Sequence, residues 1–150
     1  MWEAKRFNEL TVYELHQIYA LRIAIFVVEQ NCPYQEVDEL DLESIHFFKQ
    51  EDGKLISYAR IIPAEDGIRL GRVIVHPDYR KQQQGQELLR EALRYGKTHF
   101  PNVPIHLAAQ AHLERFYGAF GFQAVSEIYL EDDIPHIDMI LSEQEGVNHE

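Results

Sequence analysis

The chain has 150 residues, 45% apolar and 26% charged, and its 14 Lys and Arg against 25 Asp and Glu give a formal charge of −11. That length suits one domain with a real core, and the composition is that of a soluble globular protein. No run of about 18 apolar residues supplies a membrane span, and so acidic a balance argues against nucleic acid as partner, because phosphate binding needs a basic face. A cationic small molecule or amine is compatible with it. The start, Met1 to Arg6, lacks the apolar core of a signal peptide. The single cysteine, Cys32, leaves no intramolecular disulfide and fits a cytoplasmic protein, with a packed or idle thiol expected there.

In chain order, Trp2 to Phe7 predicts a first strand. Thr11 and Glu14 form a T-x-x-E capping box, and Leu15, Ile18, Leu21, Ile25 and Phe26 follow at helical spacing, so a helix is expected from about Val12 to Phe26 or slightly beyond. Asn31-Cys32-Pro33 ends it. The stretch from Gln35 to Glu43 carries Glu36, Asp38, Glu39, Asp41 and Glu43; it lacks the glycine and register of a calcium loop, and a solvated or acceptor-facing loop is expected, with a short helix near Val37 to Ser44 as an option. Strands over Ile45 to Lys49 and Leu55 to Ile62 flank Asp52-Gly53, and Asp66-Gly67 precedes a strand from Ile68 to Val75. Pro101 and Pro104 bracket a loop before a strand at Ile105 to Ala109. A short helix from His112 to Phe120 ends at Gly121, a good residue just past a helix end. Phe122 to Ile128 and His136 to Leu141 are expected to pair around Glu131-Asp132-Asp133. The expected fold is mixed α/β: a sheet of six to seven strands, an antiparallel meander joined to a parallel βαβ step, and three to four helices. One domain spans residues 1–141, followed by a polar, frayed tail over 142–150.

The organising stretch is Arg69 to Tyr95. An apolar run, Val73-Ile74-Val75, is broken by His76-Pro77-Asp78, and from Gln84 onward Leu88, Leu89, Ala92 and Leu93 mark one helical face. A strand, a short polar turn and a helix aim free N–H groups into the turn, which suits a phosphate. Gly85 permits close approach to backbone, and Arg80 and Lys81 add two cations. An ordinary βα turn with solvated basic residues fits the spacing equally well, and no GxxxxGK[ST] P-loop is present.

In its order of motifs the chain resembles the GNAT N-acetyltransferases, within them the ElaA-like branch, over about residues 3–141. The family's coenzyme motif, [RQ]-x-x-G-x-[GA], reads Arg80-Lys81-Gln82-Gln83-Gln84-Gly85, with Gln83 where the family's middle glycine stands. The second signature, F-Y-x-x-x-G-F, is complete from Phe116 to Phe122, and Arg22 to Gln30 is similar to the R-x-x-x-F-x-x-E-Q stretch of ElaA-like proteins.

The resemblance implies transfer of an acetyl group from acetyl-CoA to a primary amine of a small molecule or peptide, with no metal. It places the backbone of Val73, Ile74 and Val75 on the pantetheine arm and thioester, and the pyrophosphate on the turn formed by Arg80, Lys81, Gln82, Gln83, Gln84, Gly85 and Gln86. Gln110 falls where many relatives contact the coenzyme. Tyr117 is the candidate acid for the departing thiolate, against the plainer reading of an aromatic core residue. Glu29, His46, His76 and His112 are candidate bases, with Glu29 and His112 best placed and none assigned. Arg60 and Arg72 interrupt apolar strands; pairing with local acids is favoured over binding an acceptor carboxylate. Two other readings stand beside this one. The first is an acyl-homoserine-lactone synthase, whose front segment Arg22, Phe26, Glu36, Asp38 and Asp41 match loosely. The second is a non-catalytic acyl-CoA sensor. A homodimer is left open.

Overall fold

In the computed structural model, residues 2–142 are described; the polar tail expected beyond Ser142 lies outside them. The sheet has strands β1 (Trp2–Arg6), β2 (Ile45–Glu51), β3 (Lys54–Ala64), β4 (Gly67–Val75), β5 (Ile105–Gln110), β6 (Gln123–Ala124), β7 (Tyr129–Glu131) and β8 (Ile134–Leu141). Its order is β1-β2-β3-β4-β5-β8-β6, with β7 also on β8. Only the β4–β5 pair is parallel; every other neighbour is antiparallel. Helix α1 (Val12–Arg22) continues as a π-helical segment (Ile23–Glu29), and α2 (Gln84–His99) and α3 (Glu114–Gly118) complete the helices.

The capping box at the front of α1 forms as expected: Thr11 Oγ1 accepts from the Glu14 N–H at 3.0 Å and Glu14 Oε1 accepts from the Thr11 N–H at 2.9 Å. Ile18, Leu21 and Ile25 then pack on Phe48, Leu55, Tyr58 and Ile74 on one face of the sheet. On the other face, the predicted stripe of Leu88, Leu89, Ala92 and Leu93 meets Phe47, Ala59, Ile61, Leu70 and Leu107. Each of those leucines contributes about 1.5–3 kcal/mol by leaving water. The expected meander is present, and Asp52 and Gly53 take φ of 52° and 75° in the β2–β3 hairpin, the left-handed pair that such a tight turn requires.

Three expectations change. The strand expected over Phe122 to Ile128 shrinks to the two residues of β6, and Tyr129–Glu131 forms a separate hairpin with β8, so the sheet has eight strands. Asp132 and Asp133, with φ of 53° and 64°, make that hairpin's two-residue turn, which sets the pairing register and moves the strand downstream. The optional helix after the first is one 3-10 turn, Glu39–Leu42, capped by Asp38. Finally, the first helix widens over its last seven residues, with Gln30 N–H bonded to Ile25 O at 3.1 Å, five residues back.

Two backbone features set where the sheet closes and where it opens. Gly67 has φ of 135°, and a Cβ there would lie 2.3 Å from Pro104 O. Glycine therefore lets the Ile68 N–H reach Pro104 O at 3.1 Å, which brings β4 and β5 together at this end. They pair only at Ile68–Ile105 and Arg69–His106. Farther on, Tyr58 faces Ile74 and Arg60 faces Gly71, so Arg72 and Val73 together oppose Ala59. That bulge, with Arg72 at φ of 52°, bends β4 away from β5.

Candidate functional site

The opening between β4 and β5 is the floor of a cleft of about 1310 Å³. Of the predicted site residues, Gln82 and the candidate bases His46 and His76 do not line it, while Glu29, Val73, Ile74, Val75, Arg80, Lys81, Gln83, Gln84, Gly85, Gln86, Gln110, His112 and Tyr117 do. These come from five separate pieces of chain, which a sequence-level motif match does not ensure.

The turn between β4 and α2 contains two left-handed residues, Lys81 at φ of 70° and Gln83 at φ of 59°. Alternation of this kind turns successive N–H groups to one side, which is how a backbone nest for an anion is made. Gln83 immediately precedes α2, so the helix's free N–H groups continue the row. The family's glycine at this position has a local reason in the left-handed backbone, and glutamine meets the same geometry under strain. Gln83→Gly should therefore raise stability by about 0.5–1 kcal/mol, the strain relieved less glycine's greater entropy loss, with coenzyme affinity retained; thermal melting and calorimetry check it. Gly85 faces Phe116, whose ring atoms lie 3.6 and 3.9 Å from where a Cβ would stand. Alanine fits there, and larger side chains push on α3.

Tyr117 is 6% exposed. Its ring stands edge-on to Phe116 and Phe122 at 5.1 and 6.0 Å. Its hydroxyl makes no hydrogen bond to any described residue, and burial pushes the phenol up to about 12. The plainer reading of an aromatic core residue holds for the ring, and the residue also borders the cleft.

Among the candidate bases, the structure separates two pairs. His46 is fully buried between the Tyr58 hydroxyl at 2.6 Å and Asp41 O at 2.9 Å, and burial holds its pKa below the usual value. His76 Nδ1 accepts from the Asp78 N–H at 3.1 Å and caps the turn Pro77–Tyr79. Neither borders the cleft. His112 does, exposed. Glu29 does as well, but is bound by Arg80 through two hydrogen bonds of 2.7 and 2.9 Å.

The acidic loop corrects a prediction. It is solvated only in part: Glu39 and Glu43 are exposed and Gln35, Asp38 and Leu40 border the cleft, but Glu36 is 3% and Asp41 1% exposed. Arg22, itself fully buried, donates to Glu36 Oε2 at 2.8 Å and Asp41 Oδ1 at 2.7 Å. Arg60 donates to Asp38 at 2.8 Å and Asp41 at 3.1 Å, and Arg72 to Glu36 at 2.8 Å. Three guanidinium groups thus meet three carboxylates, and the favoured pairing of Arg60 and Arg72 is what forms. Burial alone would raise the Asp41 carboxyl, but Arg22 holds it below the usual range, as Arg60 does Asp38. Cys32 is packed, its thiol donating to Asp132 O at 3.4 Å. No cluster of metal-ligating side chains exists among the described residues, nor is any described helix long and apolar enough to cross a membrane.

Sequence reasoning missed the two rings beside Arg72, Phe26 and Tyr34, 6.0 and 5.9 Å from its guanidinium carbon, and the contact of Gln110 with Gln30 at 3.2 Å. Gln30 stood in the quoted R-x-x-x-F-x-x-E-Q stretch; nothing in that stretch tells that its partner lies 80 positions away.

The sheet is thus split at its one parallel pair among the described strands, and two left-handed residues stand at the head of the following helix. The GNAT acetyltransferase domain model matches residues 15–143, and the chain belongs to that family of acyltransferases. It is 43% identical to protein ElaA of Escherichia coli over 143 residues, 92% of this chain and 94% of ElaA. A UPF0039 protein of Schizosaccharomyces pombe is 45% identical over 140 residues, covering 91% and 93%. The crystal structure of an acyl-CoA N-acyltransferase from Pseudomonas aeruginosa superposes with a TM-score of 0.90 at 42% identity, over 95% of this chain and 99% of that one. The E. coli ElaA structure gives 0.89 at 43%, over 93% and 98%.

Proposed function

We propose that the protein is an acetyl-CoA-dependent N-acetyltransferase that acetylates a primary amine of a small molecule or peptide by direct attack on the thioester. The observation that carries this reading is the uncommitted Tyr117 hydroxyl at a cleft whose other wall is the splayed β4 strand. The pantetheine arm lies along Val73–Val75 as an added strand, and the pyrophosphate sits on the nest around Lys81 and Gln83. Arg80 and Lys81 add screened charge.

The amine nitrogen attacks the thioester carbon, and the new oxyanion is stabilised by an N–H of the Val73–Val75 strand. Collapse breaks the carbon–sulfur bond, and the thiolate takes the Tyr117 proton. A phenol near 12 is a weaker acid than a free thiol of about 8.5, but the same apolar surroundings raise the thiol as well and narrow the gap. The ammonium proton leaves to Glu29 or His112, the two candidate bases on the cleft.

Mixing the protein with acetyl-CoA and a panel of amines, and following free thiol, tests the reading. Amine-dependent release supports it; binding with no release under any acceptor favours a sensor. A second reading has one observation in its favour: Arg22, Glu36, Asp38 and Asp41, matched loosely to the acyl-homoserine-lactone synthases, do gather into one cluster. Release only with an acyl-carrier protein and S-adenosylmethionine would support it. Gly85→Leu should weaken coenzyme A binding at least about tenfold by pressing α3 and the nest; unaltered affinity in calorimetry counts against this phosphate placement.

A further inference from the structure

Two side chains assigned to the coenzyme are already engaged, and by adjacent residues. Arg80 Nη1 and Nη2 donate to the two carboxylate oxygens of Glu29 at 2.7 and 2.9 Å, while its Nε reaches Val75 O at 3.3 Å. Gln110 Nε2 donates to Gln30 Oε1 at 3.2 Å. Arg80 follows β4, and Gln110 ends β5. The end of the π-helical segment therefore reaches both sides of the gap between the splayed strands.

We propose that Glu29 and Gln30 form a clasp across this gap that competes with the coenzyme for Arg80 and Gln110, so that acyl-CoA binding opens it and frees the Glu29 carboxylate for the incoming amine. The proposal rests on the coenzyme placement given above. A guanidinium presents one fork at a time, and a diphosphate oxygen pair competes with Glu29 for the same N–H groups. The clasp is weak enough to open: the Arg80 and Glu29 side chains are 40% and 47% exposed, and pairs at such exposure favour the closed form by only about two- to fivefold. Widened helix turns of this kind occur at functional sites, and this one ends at the clasp. While closed, Arg80 keeps the Glu29 carboxyl below its usual range, which makes it a poor proton acceptor. Opening removes that restraint, so the carboxylate becomes a better proton acceptor once the thioester is in place.

Calorimetric titration with coenzyme A tests the clasp. Glu29→Asp keeps the charge but shortens the reach by one methylene, so relief of charge repulsion does not explain its result. Glu29→Asp and Gln30→Ala should each bind coenzyme A about two- to fivefold more tightly than the natural chain, the preference the closed form loses. In an Arg80→Ala background the gain from Glu29→Asp should vanish, because the partner is gone. If the natural chain binds coenzyme A and both variants bind it equally or more weakly, the clasp is overturned and the coenzyme placement stands. If the natural chain does not bind coenzyme A, the placement itself fails and the clasp with it.

Discussion

Tyr117→Phe should lower turnover by about 10²-fold or more while leaving coenzyme A affinity within about threefold, since proton donation at a leaving group contributes in that range. The asymmetry follows from when the hydroxyl acts. In the ground state the thioester sulfur carries little charge, so a donor beside it adds little to binding. As the carbon–sulfur bond breaks the charge develops, and the donor's contribution appears only then, in kcat as well as in kcat/KM. The fold should not suffer, because the hydroxyl makes no hydrogen bond to the described residues and the ring contacts with Phe116 and Phe122 remain. The pH dependence sharpens the test. The phenol must be protonated to donate, and with its pKa pushed up to about 12 the active form persists until the pH rises towards that value. The rate should therefore climb as the amine loses its proton, near pKa 10.4 for a lysine-like acceptor, with no falling limb from Tyr117 below about pH 10. An unchanged rate in the phenylalanine variant removes Tyr117 from the mechanism.

What was legible in the sequence and what was not divide along sequence distance. The Thr11–Glu14 cap, the Asp52-Gly53 turn and the buried stripe of α2 are each decided within a few residues, and each forms as read. The turn between β4 and α2 was legible for the same reason: strand, break and helix succeed one another from Val73 to Leu93. The acidic loop was not. Five carboxylates within Glu36 to Glu43 look solvated when no counter-charge is near in the chain. The partners of Glu36, Asp38 and Asp41 stand 14 to 36 positions away, on α1, β3 and β4, and only the fold brings them together. The π-helical segment was hidden likewise. Arg22 to Glu29 carries an ordinary helical pattern, and no local residue announces the extra residue per turn. The bulge at Arg72 adds a third case, since a left-handed arginine within GRVIV has no local signature. These hidden features belong to one region. Arg72 is gripped by Glu36, flanked by Phe26 and Tyr34, and stands where β4 leaves β5. The loop thus holds the bulge that opens the cleft.

Arg22→Ala should cost about 3–5 kcal/mol of stability, because it leaves buried carboxylates without their cation. For a chain of this size that corresponds to a fall in Tm of roughly 6–20 °C. Arg22 is fully buried and binds Glu36 and Asp41 together through four hydrogen bonds of 2.7 to 3.2 Å. With it the cluster balances three guanidinium groups against three carboxylates; without it two remain against three. The sign of the pH effect follows. In the natural chain, Asp38 and Asp41 have folded pKa values below their unfolded ones. They stabilise the fold above about pH 4, the unfolded value, and that contribution is lost as the pH falls through the folded value. In the variant the unmatched carboxylate is governed by burial, which raises its folded pKa, so it destabilises at neutral pH and less so once it takes up a proton. The gap in stability between the two proteins should therefore narrow on going from pH 7 to about pH 5, whereas a simple packing defect leaves the gap unchanged with pH. Thermal melts across that range decide the matter: a variant melting within about 2 °C of the natural chain, under 1 kcal/mol, would mean the cluster holds nothing together.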